Sequence, residues 1–291
     1  MAKKNESKLI TVQEFFRRFP DDDTCLDHLV MVRYGETADC PKCGKHGKFH
    51  RLRKEPAYSC QWCGHHIHPM KDTPFERTRT PLQKWFYAIY LFTTSRHGVP
   101  AKELQRQLGV TYKTAWRMGH EIRKYMGAVD GDDPLDGHVE VNETMLGGRR
   151  KGGKRGRGAP GKTTVMGMLQ RGDSVMTRVV ENVRRVTLEH HILENIRHGA
   201  QISTDELASY SKLSRFGYKH RSVNHSADQW VDGETHTNAI KGFWSQIKRS
   251  VRGTHIHVSR KHLPKYLGEF EFRYNMRGNP ALMFPRLLLS F

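Results

Sequence analysis

Hydrophobic positions change their spacing several times along this chain. From Leu9 to Tyr34 they recur at helical intervals in two short runs, Phe15, Phe16 and Phe19, then Leu26, Leu29, Val30 and Val32. Thr11 followed by Glu14 is a capping-box pattern for the first helix. Pro20 and the Asp21-Asp22-Asp23 run end that helix and cap the second. Residues 38–72 offer few apolar positions and no clear period. Helical spacing resumes from Pro81 to Met126: an aromatic helix with Trp85, Phe86, Ile89, Tyr90 and Phe92, then Ala101–Leu108, a break at Gly109-Val110, and Tyr112–Tyr125. An Asp-rich polar linker, 127–137, separates this half from a different texture. His138–Leu146 alternates as a strand does, and Thr163–Gln170 and Ser174–Val183 read as further strands. Helix Thr187–Arg197, strand Gln201–Thr204, helix Leu207–Phe216, strand Tyr218–Val223 and two closing helices, 237–251 and 260–276, follow.

That order predicts a mixed sheet flanked by helices. The chain is therefore expected to be an α+β multidomain protein. Its parts are an N-terminal helical segment (1–37), a cysteine-rich module (38–72), a helical region (80–127) and a sheet domain (137–291).

Four of the five cysteines fall in two Cys-x-x-Cys-Gly knuckles, Cys40/Cys43 and Cys60/Cys63, separated by 16 residues. A two-residue gap turns both thiolates of a knuckle toward one ion, and four thiolates satisfy tetrahedral zinc. The module is read as a zinc ribbon with structural Zn²⁺, since four sulfurs leave no open position for water. His65, His66 and His68 are read as surface contacts, and Cys25 as an ordinary buried thiol.

Charge adds a partner. Lys and Arg number 49 against 30 Asp and Glu, a formal net charge of +19, which attracts a polyanion. RNA or an anionic membrane would satisfy charge alone. No apolar run approaches the roughly 20 residues of a membrane-spanning helix, and Met1–Ile10 lacks the apolar centre of a signal peptide. The expectation is a cytoplasmic, nucleoid-associated protein with no membrane partner.

Ala101–Met118 resembles a helix-turn-helix, with Leu104, Leu108, Val110, Ala115 and Met118 as its small core. The second helix would then present Thr111, Tyr112, Lys113, Arg117 and His120 to the major groove of double-stranded DNA. An ordinary helical hairpin is the other reading of the same residues. Between the first two strands of the sheet domain, 149–162 carries seven cations and five glycines in 14 residues. Arg149, Arg150, Lys151, Lys154, Arg155 and Arg157 can neutralise phosphates, or simply tip a solvated hairpin.

The remaining signals are short: Val139-Glu-Val-Asn142-Glu143-Thr with Gly147-Gly148, Ser203-Thr-Asp205-Glu206 with Tyr210, Val223-Asn-His-Ser226, and His236-Thr-Asn238-Ala-Ile-Lys241-Gly-Phe-Trp-Ser245-Gln-Ile-Lys248. In this order, behind a zinc ribbon, they resemble the DDE transposases of ISXO-type insertion sequences, bacterial relatives of Merlin elements. The resemblance covers the chain from the ribbon to about Arg277. It implies an RNase-H-like catalytic domain, binding to terminal inverted repeats, homo-oligomeric assembly, and Mg²⁺-dependent strand cleavage and transfer.

Two Mg²⁺ ions would activate the attacking oxygen and stabilise the leaving one, and such hard cations need charged oxygen ligands. By resemblance the first acid belongs at Asn142, the second is Asp205, and the third belongs at Lys241, with Asn238 a possible amide substitute and Lys248 a basic residue following the triad. Two of three acids are thus replaced, and Mg²⁺ is poorly served. Glu140 shares a strand face with Asn142, and Glu143 lies opposite. Asp205 could equally cap a helix, and His225 and His236 could be site or loop residues. A helix from Thr237 places Asn238, Lys241, Ser245 and Lys248 on one stripe and Ile240, Phe243, Trp244, Ile247 and Val251 on the core side. The Lys241 ammonium is expected within salt-bridge reach of Asp205. Transposase or non-catalytic DNA-binding protein: both readings stay open on the residues alone.

Overall fold

The computed structural model describes residues 9–129, 133–147 and 162–290. They form two compact units, one running to Tyr125 and resuming at Asn279, the other spanning Met126–Gly278.

In the first unit, α1 (Val12–Arg18) begins on the expected capping box. The Thr11 hydroxyl accepts from the Glu14 amide at 3.2 Å, and the Thr11 amide donates to the Glu14 carboxylate at 2.9 Å. In α2 (Asp22–Tyr34), the Asp21 carboxylate caps by accepting from the Thr24 amide at 2.8 Å. Cys25 is buried in this helix, and burial pushes its thiol up to about 12. The ribbon follows as five short strands: β1 (Ala38–Asp39), β2 (His46–Gly47), β3 (Phe49–Arg51), β4 (Tyr58–Cys60) and β5 (His66–Ile67). The first two form a hairpin and the other three an antiparallel sheet.

Helices α3 (Leu82–Thr94), α4 (Ala101–Leu108) and α5 (Tyr112–Val129) come next. Gly109 ends α4 in the left-handed region, at φ 60° and ψ 41°, a conformation glycine adopts without a Cβ penalty. Leu104, Leu108, Ala115 and Met118 are buried around this turn as expected, whereas Val110 is only partly buried.

In the second unit, β6 (His138–Gly147), β7 (Lys162–Gln170) and β8 (Val175–Val180) pair antiparallel. After α6 (Arg185–Asn195), β9 (Gln201–Thr204) adds to β6 in parallel, and β10 (Lys219–Ser222) adds to β9. The sheet order is β10-β9-β6-β7-β8, the RNase-H-like order, with β6 central. Its faces alternate as a strand requires. Val139 and Val141 pack under α6 with Leu188 and Ile192. Leu146, Val165 and Val175 pack under α7 (Asn238–Ser250) and α8 (Leu263–Asn275).

Two expectations need correction. Leu207–Phe216 is not one α-helix but two 3₁₀ turns, Ala208–Tyr210 and Leu213–Phe216. Its apolar residues, Leu207, Tyr210, Leu213 and Phe216, recur every three residues, the period of a 3₁₀ helix rather than 3.6. The sheet domain also stops at Gly278 instead of reaching 291. A last helix, α9 (Met283–Leu289), packs in the first unit. There Phe284 meets Phe15, Phe19 and Phe86 at ring-centroid distances of 6.1, 5.8 and 6.4 Å. No described helix is long and apolar enough to cross a membrane.

Candidate functional site

The cysteine knuckles converge. The Cys40 and Cys63 sulfurs stand 3.6 Å apart, those of Cys43 and Cys60 4.0 Å, and all four lie within 4.8 Å of one another. Zinc–sulfur bonds of about 2.3 Å require tetrahedral edges of about 3.8 Å, so the donor set fits the ion. Gly44 and Gly64, both at φ 68°, close the knuckles and donate to the carbonyls of Cys40 and Cys60 at 2.9 and 3.0 Å. His66 faces Glu55 at 3.0 Å, and no histidine belongs to the cysteine cluster among the described residues.

The start of α5 presents Thr111, Tyr112 and Lys113, and the next turn Arg117, all exposed. The Thr111 hydroxyl accepts from the Thr114 amide at 3.2 Å and fixes the helix start. Lys102 lies over the Tyr112 ring at 5.0 Å and Arg117 over Trp85 at 5.2 Å. His120, expected on this face, is instead 3% exposed and stacked on Trp116 at 3.9 Å. One helical turn separates Trp116 from His120, and the flat imidazole fits beneath the larger ring. Arg149, Arg150, Lys151, Lys154, Arg155 and Arg157 lie outside the described residues.

In the second unit, β6 presents Glu140 and Asn142 toward α7, whereas the Glu143 carboxylate accepts from the Tyr210 hydroxyl at 2.8 Å. Asn142 pairs with Gly167 on β7. A Cβ at Gly167 would come within 2.4 Å of Trp244 and 2.9 Å of Ile240. Glycine there therefore lets α7 settle against the sheet beside Asn142.

Glu140 is wholly buried and anchors the helix. Its carboxylate accepts from the Ile240 amide at 3.0 Å and from Arg171 Nε at 2.8 Å, and His236 Nδ1 lies 3.1 Å away. Arg171 also donates to the His236 carbonyl at 3.2 Å and reaches His138 Nδ1 at 3.1 Å. Burial, aided by the Arg171 charge, pushes the His138 pKa down. Neutral His138 can thus accept from Arg171 while its other ring nitrogen reaches the Ser203 hydroxyl at 2.8 Å. Arg171 escaped the sequence reading because its partners sit 31 to 65 positions away. No local pattern announces it.

The amphipathic division of α7 matches the expectation. Ile240, Phe243, Trp244 and Ile247 are buried, and the segment continues into a π-helical turn, Val251–His255. Its polar side and the β6 residues Asn142, Glu143 and Thr144 wall a groove of about 490 Å³. Lys241, Ser245, Lys248, Arg249 and Arg252 line the helix side.

Asn142 and Lys241 thus share one cleft, and Asp205, just past the end of β9, attracts the Lys241 charge. Burial pushes the Lys241 pKa down, while Asp205, Glu206 and Glu140 pull it back. Its ammonium stands 5.3 Å from the Trp230 ring centre. Asp205 is 9% exposed and accepts from the Leu207 amide at 3.1 Å, an Asx-type turn rather than an α-helix cap. Lys248 is half-buried; burial first, then Arg252 and Lys162, push its pKa down. Asn238 is exposed in the first turn of α7 and does not line the groove.

Hard divalent cations want several charged oxygens at one point. The groove offers the Asn142 amide and the Lys241 ammonium at positions where the resemblance leads one to expect acids, and further cations along the helix. These residues do not fit a two-metal site.

Comparison with known proteins accords with this architecture. The profile of the ISXO2-like transposase domain matches residues 134–275, and that of the transposase zinc-ribbon domain matches residues 20–66. An uncharacterised protein in transposable element ISH50 of Halobacterium salinarum is 24% identical over 288 residues, covering 91% of this chain and 95% of that protein. The cysteine ribbon and the five-stranded mixed sheet are thus matched, in that order, by the two profiles, and this chain carries a transposase zinc-ribbon domain followed by an ISXO2-like transposase domain.

Proposed function

We propose that this protein binds the terminal inverted repeats of its insertion sequence and is impaired in the metal-dependent strand cleavage and transfer of its family. The observation that carries the reading is the groove between β6 and α7, where Asn142 and Lys241 stand at positions that resemblance assigns to acids. Asp205 is the remaining carboxylate of the three. One carboxylate beside an ammonium offers a divalent ion almost no net charge, where the chemistry needs several charged oxygens.

DNA recognition is assigned to the α4–α5 pair acting as a helix-turn-helix, with Thr111, Tyr112, Lys113 and Arg117 at the DNA. Its compact core and exposed polar first turn support that assignment. The cations of 149–157 add sequence-independent affinity. Structural Zn²⁺ held by Cys40, Cys43, Cys60 and Cys63 gives the ribbon its fold and takes no part in chemistry. Family membership also supports assembly as a homo-oligomer on two element ends.

The test is Mg²⁺-dependent nicking of a duplex carrying the element's terminal repeat. The natural chain is expected to bind the duplex and leave it intact, and the paired changes Asn142→Asp and Lys241→Glu to restore nicking. Efficient nicking by the natural chain would overturn the impairment. Failure to prefer the repeat over arbitrary duplex would overturn the recognition.

A further inference from the structure

The groove between β6 and α7 has a chemistry of its own. One helix side supplies Lys241, Lys248 and Arg252 with Ser245 between them, and Lys162 at the start of β7 adds its charge to that of Lys248. Among the described residues, Lys162, Lys248, Arg249 and Arg252 have no carboxylate within ion-pair distance. Across from them, Asn142 and Thr144 offer an amide and a hydroxyl. Glu143, the carboxylate in the lining, is engaged by the Tyr210 hydroxyl.

A second, independent observation comes from the groove's aromatic wall. Trp244 lines it, is 3% exposed, and its indole N–H finds no acceptor among the described residues. A buried donor without an acceptor is costly, and a bound ion's acceptor oxygen is one way such a group is satisfied. Every feature asks for the same thing. Clustered cations want an anion, and unused N–H and O–H donors want acceptor oxygens.

We propose that the groove is a metal-independent oxyanion site that holds a DNA phosphodiester through Lys248, Arg252 and Lys241. The phosphate oxygens lie against cations and donors in the cleft that an active relative would fill with divalent ions. The charge of the site has been reversed rather than merely lost. Binding here contributes affinity that is blind to base sequence, because phosphates carry none. The inference rests on the proposed DNA-binding role but not on recognition of the repeat.

The experiment uses zinc-loaded full-length protein in buffer without added divalent metal, and a fluorescent duplex of arbitrary sequence followed by anisotropy over a range of salt concentrations. Replacing Lys248 and Arg252 by alanine removes two phosphate contacts. The slope of log affinity against log salt is expected to fall in magnitude by about 2, with roughly tenfold weaker binding at 0.1 M salt. Adding Mg²⁺ is expected to weaken natural-chain binding, as any competing cation does. Lys241→Glu is expected to reverse that response and make binding improve with Mg²⁺.

Equal thermal melting of the variants guards against misfolding, and Arg252→Gln alone, expected to lower the slope by about 1, replaces the double variant if that one melts early. Identical affinity and slope in natural chain and variants would overturn the proposal. A second arm titrates inorganic phosphate against chloride at equal ionic strength. Stabilisation of the natural chain by phosphate with unchanged DNA binding in the variants would show a free-phosphate site only, and would overturn the DNA assignment. Loss of repeat preference in Lys113→Ala with Arg117→Ala, at unchanged groove slope, would separate the recognition reading from this one.

Discussion

The chain has two places where an ion is expected, and they have fared differently. In the ribbon, four sulfurs converge with facing pairs 3.6 and 4.0 Å apart. Their donor number, charge and spacing all agree with one tetrahedral ion. In the β6–α7 groove the scaffold is equally well built, but most of the polar groups that line it are neutral or cationic. Asn142 keeps an oxygen without the charge, and Lys241 brings a cation to a position where resemblance calls for an anion. On the proposed reading, the fold preserves the geometry of a metal site without its chemistry. Backbone position and ligand charge are separable properties.

The scaffold of the groove is held by apolar contact and by one buried network, neither of which needs the ion. Ile240, Phe243, Trp244 and Ile247 seat α7 on the sheet, and Glu140 ties its first turn to β6 and Arg171. The ribbon buries few apolar residues, Ala57, Tyr58 and Ile67 beside Cys40 and Cys60, so it is expected to depend on its ion as small modules generally do.

That contrast can be broken at three points. Withdrawing zinc, or replacing Cys40 by serine, is expected to unfold the ribbon, because a structural zinc supplies about 10–16 kcal/mol of apparent binding energy. Limited proteolysis read by mass spectrometry should then show new cuts within 38–72, and an unchanged digestion pattern would mean that the ribbon holds itself. In the groove, Glu140→Ala strands the Arg171 guanidinium and is expected to lower unfolding free energy by about 3–5 kcal/mol. Denaturant titration checks it; a loss well below 1 kcal/mol would show that the network is not what seats α7. Gly167→Ala is the gentler probe. Its Cβ would press on Trp244, for an expected loss of about 1–3 kcal/mol together with a change in tryptophan emission. A neutral outcome would mean that α7 shifts freely over the sheet.

How much of this could be read beforehand follows from the reach of each signal. The cysteine spacing is local, and it named all four donors. The capping box at Thr11, the break at Gly109 and the two-sided pattern of α7 are also local, and they stand. The segment 207–216 is legible only through its three-residue apolar period, which an α-helical pattern of similar length resembles. Long-range partners left no trace. Arg171 meets Glu140 and His236 from 31 and 65 positions away, and α9 joins Phe15 from the far end of the sequence. Helical phase alone puts His120 on the exposed face, but in the structure it is buried and stacked on Trp116. The substituted acid positions were visible only through resemblance, since an asparagine in a strand or a lysine in a helix signals nothing by itself. Their meeting in one groove took the fold.

If the site is impaired as proposed, this groove should refuse divalent ions because of the charges it carries. Manganese, a spin-active stand-in for magnesium, tests that most directly. Electron paramagnetic resonance titration of the zinc-loaded chain should show no saturable Mn²⁺ site up to millimolar concentration, and the Asn142→Asp, Lys241→Glu double variant should gain one. Saturable Mn²⁺ binding by the natural chain that Lys241→Glu leaves unchanged would contradict the account.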